Sequence, residues 1–246
     1  MAHLNEIVEF CNAELDIGAF DDYCPNGLQV EGRAEVGRVV SGVTASQTLL
    51  DAAVTAGADI VLVHHGYFWR NEPAPLVGIK GRRIRTLIGA GMSLLAYHLP
   101  LDAHQELGNN RQLGDRLGLP GGAPVGDLVW GCELPRPMTA DELAGRVESV
   151  LGRTPLLLGE RQSVRRVAWC TGAAQGYLAQ AAAAGYDAFI SGEVSEQTLH
   201  EAAELGLLYI AAGHHATERY GVQALGEVIS TRFKVAHQFI DIANPV

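Results

Sequence analysis

The chain lacks any apolar run approaching the roughly 18 residues that span a bilayer, so no membrane-spanning helix is expected. Its first residues, Met-Ala-His-Leu-Asn-Glu, hold no basic region followed by an apolar core, so no signal peptide is read there. It has four cysteines (Cys11, Cys24, Cys132, Cys170) and no CxxC pair; thiols so scattered read as reduced and structural, in a cytoplasmic protein. Positive charge is scarce: 18 Lys and Arg against 28 Asp and Glu give a formal net charge of −10, which argues against broad nucleic-acid binding. A local basic run, Lys80, Arg82, Arg83 and Arg85, reads as a solvated helix face. GxSxG, GxxxxGK[ST] and GxGxxG are all missing, which removes the main support for serine hydrolases, P-loop enzymes and dinucleotide enzymes.

What is present is a globular composition, 48% hydrophobic and 19% charged, over 246 residues, enough for one large domain or two small ones. The pattern alternates short apolar strands with helices closed by glycine, the signature of strand–helix–strand units with parallel strands. An amphipathic helix opens the chain (Leu4, Ile7, Val8, Cys11, Leu15), and a loop rich in Asp, Gly, Pro and Asn follows at 16–27. Strands are expected at 38–43, 59–64 and 93–97, with helices at 46–56, 82–90 and 109–117. Residues 123–162 read as a connecting segment: a strand near 127–134, a helix opened by the capping box Thr139–Glu142, and a strand near 155–158. Strands at 164–170, 187–191, 207–212 and 232–241 and helices at 173–184, 195–205 and 214–229 complete the pattern.

The second series repeats the first. Val39–Gly66 and Val167–Val194 match without a gap at an offset of 128: Ala45 meets Ala173, Leu50 meets Leu178, Ala53 meets Ala181 and Asp59 meets Asp187. This reads as an internal duplication. The expected fold is α/β: two similar lobes, 1–122 and 163–246, open to being intertwined, of parallel or mixed sheets flanked by helices, with a site in the cleft between them.

Chemistry collects at four strand ends: His64-His65; His98, with Asp102 in the loop beyond it; Ser191-Gly192-Glu193; and Gly213-His214-His215. Open α/β sheets bind ligands at the carboxyl ends of their strands. Adjacent strand residues face opposite ways, so His64 and His65 make sense at the strand's end or as one ligand for each of two ions. Glu218 lies four residues after His214, so on a helix the two share a face. His64, His65, Asp102, His214 and Glu218 are then three imidazoles and two carboxylates, more than a closed tetrahedral site takes. They suit two divalent ions bridged by Glu218 or Asp102, and this donor set accepts Zn, Fe, Mn or Co. His98 is read as a general acid or a group behind the ligands. Glu193 is read as a ligand-orienting or proton-accepting group, or as a cap on the following helix. Trp69 and Phe68 either wall the cleft or pack in the core. His3, His104, His200 and His237 read as surface or helix-face residues.

Carried by Asn26-Gly27-Leu28-Gln29-Val30, the segment 58–66, Tyr97-His98, Leu101-Asp102, Ser191-Gly192-Glu193 and the segment 213–218, the sequence resembles the dinuclear-metal family of GTP cyclohydrolase 1 type 2 homologues, the Nif-three-like proteins. The resemblance covers nearly the whole chain. It implies two metal ions on the same five residues, two α/β lobes, and a homohexameric ring in the short form without an inserted domain. Where the family commonly has Thr-Asn before Asp102, this chain has Leu99-Pro100, a difference in the cleft wall that bears on substrate choice. Three functions follow from different classes: a metal-dependent hydrolase opening the ring of a nucleotide such as GTP, a metal-dependent phosphoester hydrolase, or a non-catalytic metal-binding interaction protein.

Overall fold

The computed structural model describes residues 1–126 and 128–246, which form two compact units. One comprises Met1–Leu107 with Gly221–Ala243, the other Gly108–Tyr220 with Asn244–Val246. The boundaries expected from sequence, 122 and 163, therefore differ from those of the compact units.

The first unit is built on a five-stranded sheet in the order Ala236–Phe239, Arg38–Thr44, Ile60–His65, Ser93–Ala96, Gly27–Val30. The first four are parallel, and Gly27–Val30 closes the edge antiparallel to Ser93–Ala96. The central strands are continuous apolar runs because both faces are covered. On one face Val40, Val61, Val63 and Leu94 pack under Leu49, Leu50, Ala53, Ile84 and Leu87 of the crossover helices Gln47–Ala56 and Gly78–Ala90. On the other, Val39, Ile60, Leu62 and Leu95 meet Leu4, Ile7 and Cys11 of the first helix. Val222, Leu225 and Ile229, at helical spacing on Arg219–Phe233, pack there too, and Phe233 meets Phe10 edge-on at 5.7 Å. That apolar stripe, and the parallel pairing of Ala236–Phe239 with Arg38–Thr44, explain why 221–243, expected in the second repeat, belongs to this unit.

The second unit carries a six-stranded sheet in the order Ala123–Pro124, Trp130–Met138, Val164–Cys170, Ala188–Ser191, Leu208–Ala211, Leu156–Leu158. The three strands from Val164 to Ala211 are parallel, with antiparallel neighbours on both sides. Residues 123–162, expected to be a connector, are thus part of the sheet. The strand foreseen near 127–134 runs from Trp130 to Met138, and position 127 lies outside the described residues. Thr139 and Glu142 do form the capping box of helix Ala140–Leu151.

The offset of 128 extends to register and hydrogen bonds. Val39 pairs with Ile60 as Val167 pairs with Ala188. Asp59 Oδ2 accepts the backbone N–H of Gly37 and Arg38; Asp187 Oδ2 accepts those of Arg165 and Arg166. Arg33 bonds the first aspartate and Arg161 the second.

Three elements differ from expectation. The helix foreseen at 173–184 is a 3-10 turn, Gln175–Tyr177, followed by Leu178–Ala183. That foreseen at 214–229 is broken at Glu218 into His214–Thr217 and Arg219–Phe233. Asp102, placed in a loop, stands in the short helix Leu99–Ala103, whose early proline suits a first helical turn.

Candidate metal centre

In the first unit the strand Ile60–His65 extends through both histidines. His64 is fully buried, and its Nδ1 lies 2.8 Å from the carbonyl oxygen of Tyr97. A carbonyl only accepts, so Nδ1 carries the proton and Nε2 the lone pair. Nε2 in turn faces Asp102 Oδ2 at 3.6 Å. His65 Nδ1 is 3.2 Å from Thr44 Oγ1, across the strand pair. Despite strand alternation the His64 and His65 rings are 4.6 Å apart, tilted by 52°, because both stand where the strand ends. His64, His65 and His98 each offer a nitrogen, all within 4.8 Å of one another, a spacing that can hold a metal ion.

His98 is held from behind. Its Nδ1 is 2.8 Å from Asp22 Oδ1, and its backbone N–H donates to Asn26 Oδ1 at 2.7 Å. Asp22 Oδ2 also accepts from Asn26 Nδ2 and the Leu99 N–H. Burial alone would raise the Asp22 carboxyl, but these donors outweigh it and hold it down at about 2. Asp22 was not foreseen, since it lies in the polar loop 76 positions before its partner. Its one sequence signal is Asn26, which opens the Asn-Gly-Leu-Gln-Val segment. Trp69 stands edge-on to His98 at 5.1 Å and 6.0 Å from His65, so it packs against imidazoles, whereas Phe68 is exposed.

In the second unit Gly213 precedes the short helix His214–Thr217. The foreseen four-residue relation holds: His214 Nε2 lies 3.1 Å from Glu218 Oε2. On the other side His214 Nδ1 is 2.7 Å from Glu193 Oε1. Glu193 does not cap the next helix: Ser195 does, with Thr198 as its box partner. Burial pulls the His214 imidazole down, but the hydrogen bonds and charges of Glu218 and Glu193 raise it to about 9. Gly172 makes room for this group. A side chain there would collide with Glu218 Oε1, and its φ of +69° is one that glycine adopts readily. His215 is buried, and its backbone N–H donates to the Val246 backbone oxygen at 3.1 Å.

The other histidines do structural work. His3 caps the first helix, and His104 Nδ1 accepts the Leu107 N–H. His200 is exposed beside Glu196. His237, expected on a surface or a helix face, is on a strand and stands 2.8 Å from Ser41 Oγ within the first unit.

Fold and residues together define a mixed α/β protein whose strand ends present His/Asp/Glu groups of metal-ligand type. The profile of Duf34/NIF3 (NGG1p interacting factor 3) matches residues 2–245, and the chain belongs to that family. Curated relatives named "GTP cyclohydrolase 1 type 2 homolog" include one from Pseudomonas aeruginosa, 57% identical over 98% of both chains. One from Escherichia coli K12 is 51% identical over 98% of both. Among solved structures, one titled as protein ybgI of unknown function superposes with a TM-score of 0.96 at 50% identity, covering 99% of this chain and 100% of its own. TTHA1606 from Thermus thermophilus gives 0.93 at 36% identity, covering 99% and 100%.

Proposed function

We propose that this chain is a dinuclear metal-dependent hydrolase acting on a nucleotide, with ring opening of GTP as the reaction. The observation that carries the reading is the way two imidazoles are set. His64 and His214 each have Nδ1 fixed by an oxygen, from Tyr97 and from Glu193, and each turns Nε2 toward a carboxylate, Asp102 and Glu218. That is how ligating histidines are ordinarily oriented, with the outer partner fixing tautomer and ring.

The proposed ligands are His64, His65, Asp102, His214 and Glu218, holding two divalent ions of the Zn, Fe, Mn or Co type. Such ions bring the pKa of bound water toward 7 and polarise the group attacked. The chain's own residues do the rest. Glu193 holds the His214 ring, and Asp22 holds His98. In GTP, water adds at C8 of guanine, the C8–N9 bond opens and formate is released by a second water; His98 supplies the proton to the departing nitrogen. The name shared by the curated relatives supports this choice of substrate.

The same reading includes a homohexamer, a closed form common among soluble oligomers. It also places the chain in the cytoplasm. All four cysteines are buried, and burial pushes the Cys11 thiol up to about 12, as suits inert thiols in a reducing compartment. Among the described residues no helix is long and apolar enough to cross a membrane.

The test is formate release and loss of guanine absorbance from GTP by Zn-, Mn- or Fe-loaded protein. Turnover lost in His64→Ala supports the proposal. Cleavage of phosphoesters with GTP untouched transfers it to the phosphoester reading. Inertness toward both, with metal bound, leaves a metal-binding interaction protein.

A further inference from the structure

The edge strand of the first unit, Gly27–Val30, is irregular at Gln29. Leu28 pairs with Leu95 and Val30 with Leu94, so Gln29 is one residue extra, a β-bulge. Bulges re-aim a side chain beside functional sites. Strand Ser93–Ala96 stands between Gly27–Val30 and Ile60–His65 in the sheet. The Gln29 side chain bridges across it: Oε1 accepts the backbone N–H of Tyr67 at 2.7 Å, two residues beyond His65. Its Nε2 donates to the Pro25 carbonyl at 2.8 Å. The N–H can only donate and the carbonyl can only accept, so the amide is fixed one way round. Gly66 lets the backbone come this close. A side chain there would collide with Gln29 Oε1 and put its Cβ 2.6 Å from Ala96 Cβ.

Three bonds hold the turn by which the chain leaves the histidine pair. The Ala45 N–H donates to the His65 carbonyl at 2.9 Å, the Tyr67 O–H donates to the Ala45 carbonyl at 2.6 Å, and the Tyr67 N–H donates to Gln29. The first two come from the end of Arg38–Thr44. Gln29 holds the turn from the opposite side, where the pairing of Ile60–His65 with Ser93–Ala96 stops at Val63. Tyr67 is buried, so its N–H would be costly to leave without an acceptor. Asn26, just before the same edge strand, accepts the His98 N–H through Oδ1 at 2.7 Å. One edge strand thus braces both imidazole-bearing ends.

We propose that Gln29 is a positioning residue: it fixes the turn after His65 and thereby sets the His65 imidazole toward a metal ion. The metal rests on the dinuclear reading; the setting of the ring rests on the bulge and the bonds of Gln29. Gln29→Met keeps the length and removes the acceptor. Gln29→Glu keeps an acceptor for the Tyr67 N–H and drops the donor to Pro25. In full-length protein held metal-free by chelator, the His65 ring resonances are expected to move in Gln29→Met and to return toward wild type in Gln29→Glu. Zn affinity, measured by competition with a chromophoric chelator, is expected to fall about 10- to 100-fold in Gln29→Met, the usual cost of losing a group that orients a ligand, with Gln29→Glu between. The visible absorption of Co-loaded protein reports coordination geometry and is expected to change in Gln29→Met. A residue that only stabilised the fold would leave it alone. In wild type, which needs no variant to fold, the Tyr67 amide is expected to resist hydrogen exchange. A freely exchanging Tyr67 amide, or a folded Gln29→Met with the wild-type His65 resonances and Co spectrum, overturns the proposal. The two readings fail separately. A His65 ring that moves in Gln29→Met, in a protein whose wild type retains no Zn, keeps the positioning role and removes the metal. Zn held equally by wild type and Gln29→Met, with the ring unmoved, keeps the metal and removes the positioning role.

Discussion

Substituting Gly172 tests how tightly the carboxylate end of the second unit is built. Gly172 has φ of +69°, and its backbone is pinned. Its N–H donates to Thr217 Oγ1 at 3.1 Å, and its carbonyl accepts from Gly192 N–H at 2.9 Å and Ser191 Oγ at 3.1 Å. Alanine there places its Cβ on Glu218 Oε1, and the backbone cannot move away. Gly152 is the control: its φ is +70°, and a Cβ there meets nothing within 4 Å. Both alanines incur the left-handed penalty of about 1–2 kcal/mol. Only Gly172→Ala also drives the buried Glu218 off His214, a charge-assisted bond of about 1.5–3 kcal/mol. The expected losses are about 2.5–5 kcal/mol for Gly172→Ala and about 1–2 kcal/mol for Gly152→Ala. Urea denaturation of both variants in chelator measures the difference, and elemental analysis should show metal lost from Gly172→Ala alone. Equal stability losses with equal metal content would refute the crowding argument.

Asp22 sets a pH dependence. Its carboxyl is held at about 2 in the fold, against about 3.9 in an unfolded chain. The stability it contributes is therefore fully present above pH 4 and lost as pH falls through about 2. The urea-midpoint gap between wild type and Asp22→Asn should persist at pH 7 and 5 and close toward pH 2; a gap that is constant down to pH 2 counts against the pairing. His98→Ala should slow turnover by about 10²–10⁴-fold with metal retained, as measured by single-turnover kinetics. His64→Ala and Glu218→Ala should each lower metal content, whereas His104→Ala, which removes only an acceptor for the Leu107 N–H, should not.

The sheets were legible because their central strands are buried on both faces and so read as unbroken apolar runs, as at Ile60–Val63. Glycine-closed helices set the strand–helix–strand rhythm, and the match at 128 aligned Asp59 with Asp187, whose equivalent hydrogen bonds only the structure shows. What stayed hidden depends on pairing at long range. Ala123–Pro124 is too short to carry a period, and its antiparallel neighbour makes it a strand. Nothing local says that Ala236–Phe239 joins Arg38–Thr44. At the site, His64, His98 and His214 were found from strand ends. Asp22 was missed because a loop aspartate shows no spacing to its histidine. The two roles offered for Glu193 were separated only by seeing Ser195 cap the helix.

The central claim is that His64, His65, Asp102, His214 and Glu218 hold two divalent ions. Metal content per chain, measured by elemental analysis after reconstitution with Zn or Mn and removal of excess, tests it most directly. Two ions per chain in wild type, falling in His64→Ala and Glu218→Ala, is the predicted result. A reconstituted wild-type chain that retains no metal contradicts the account.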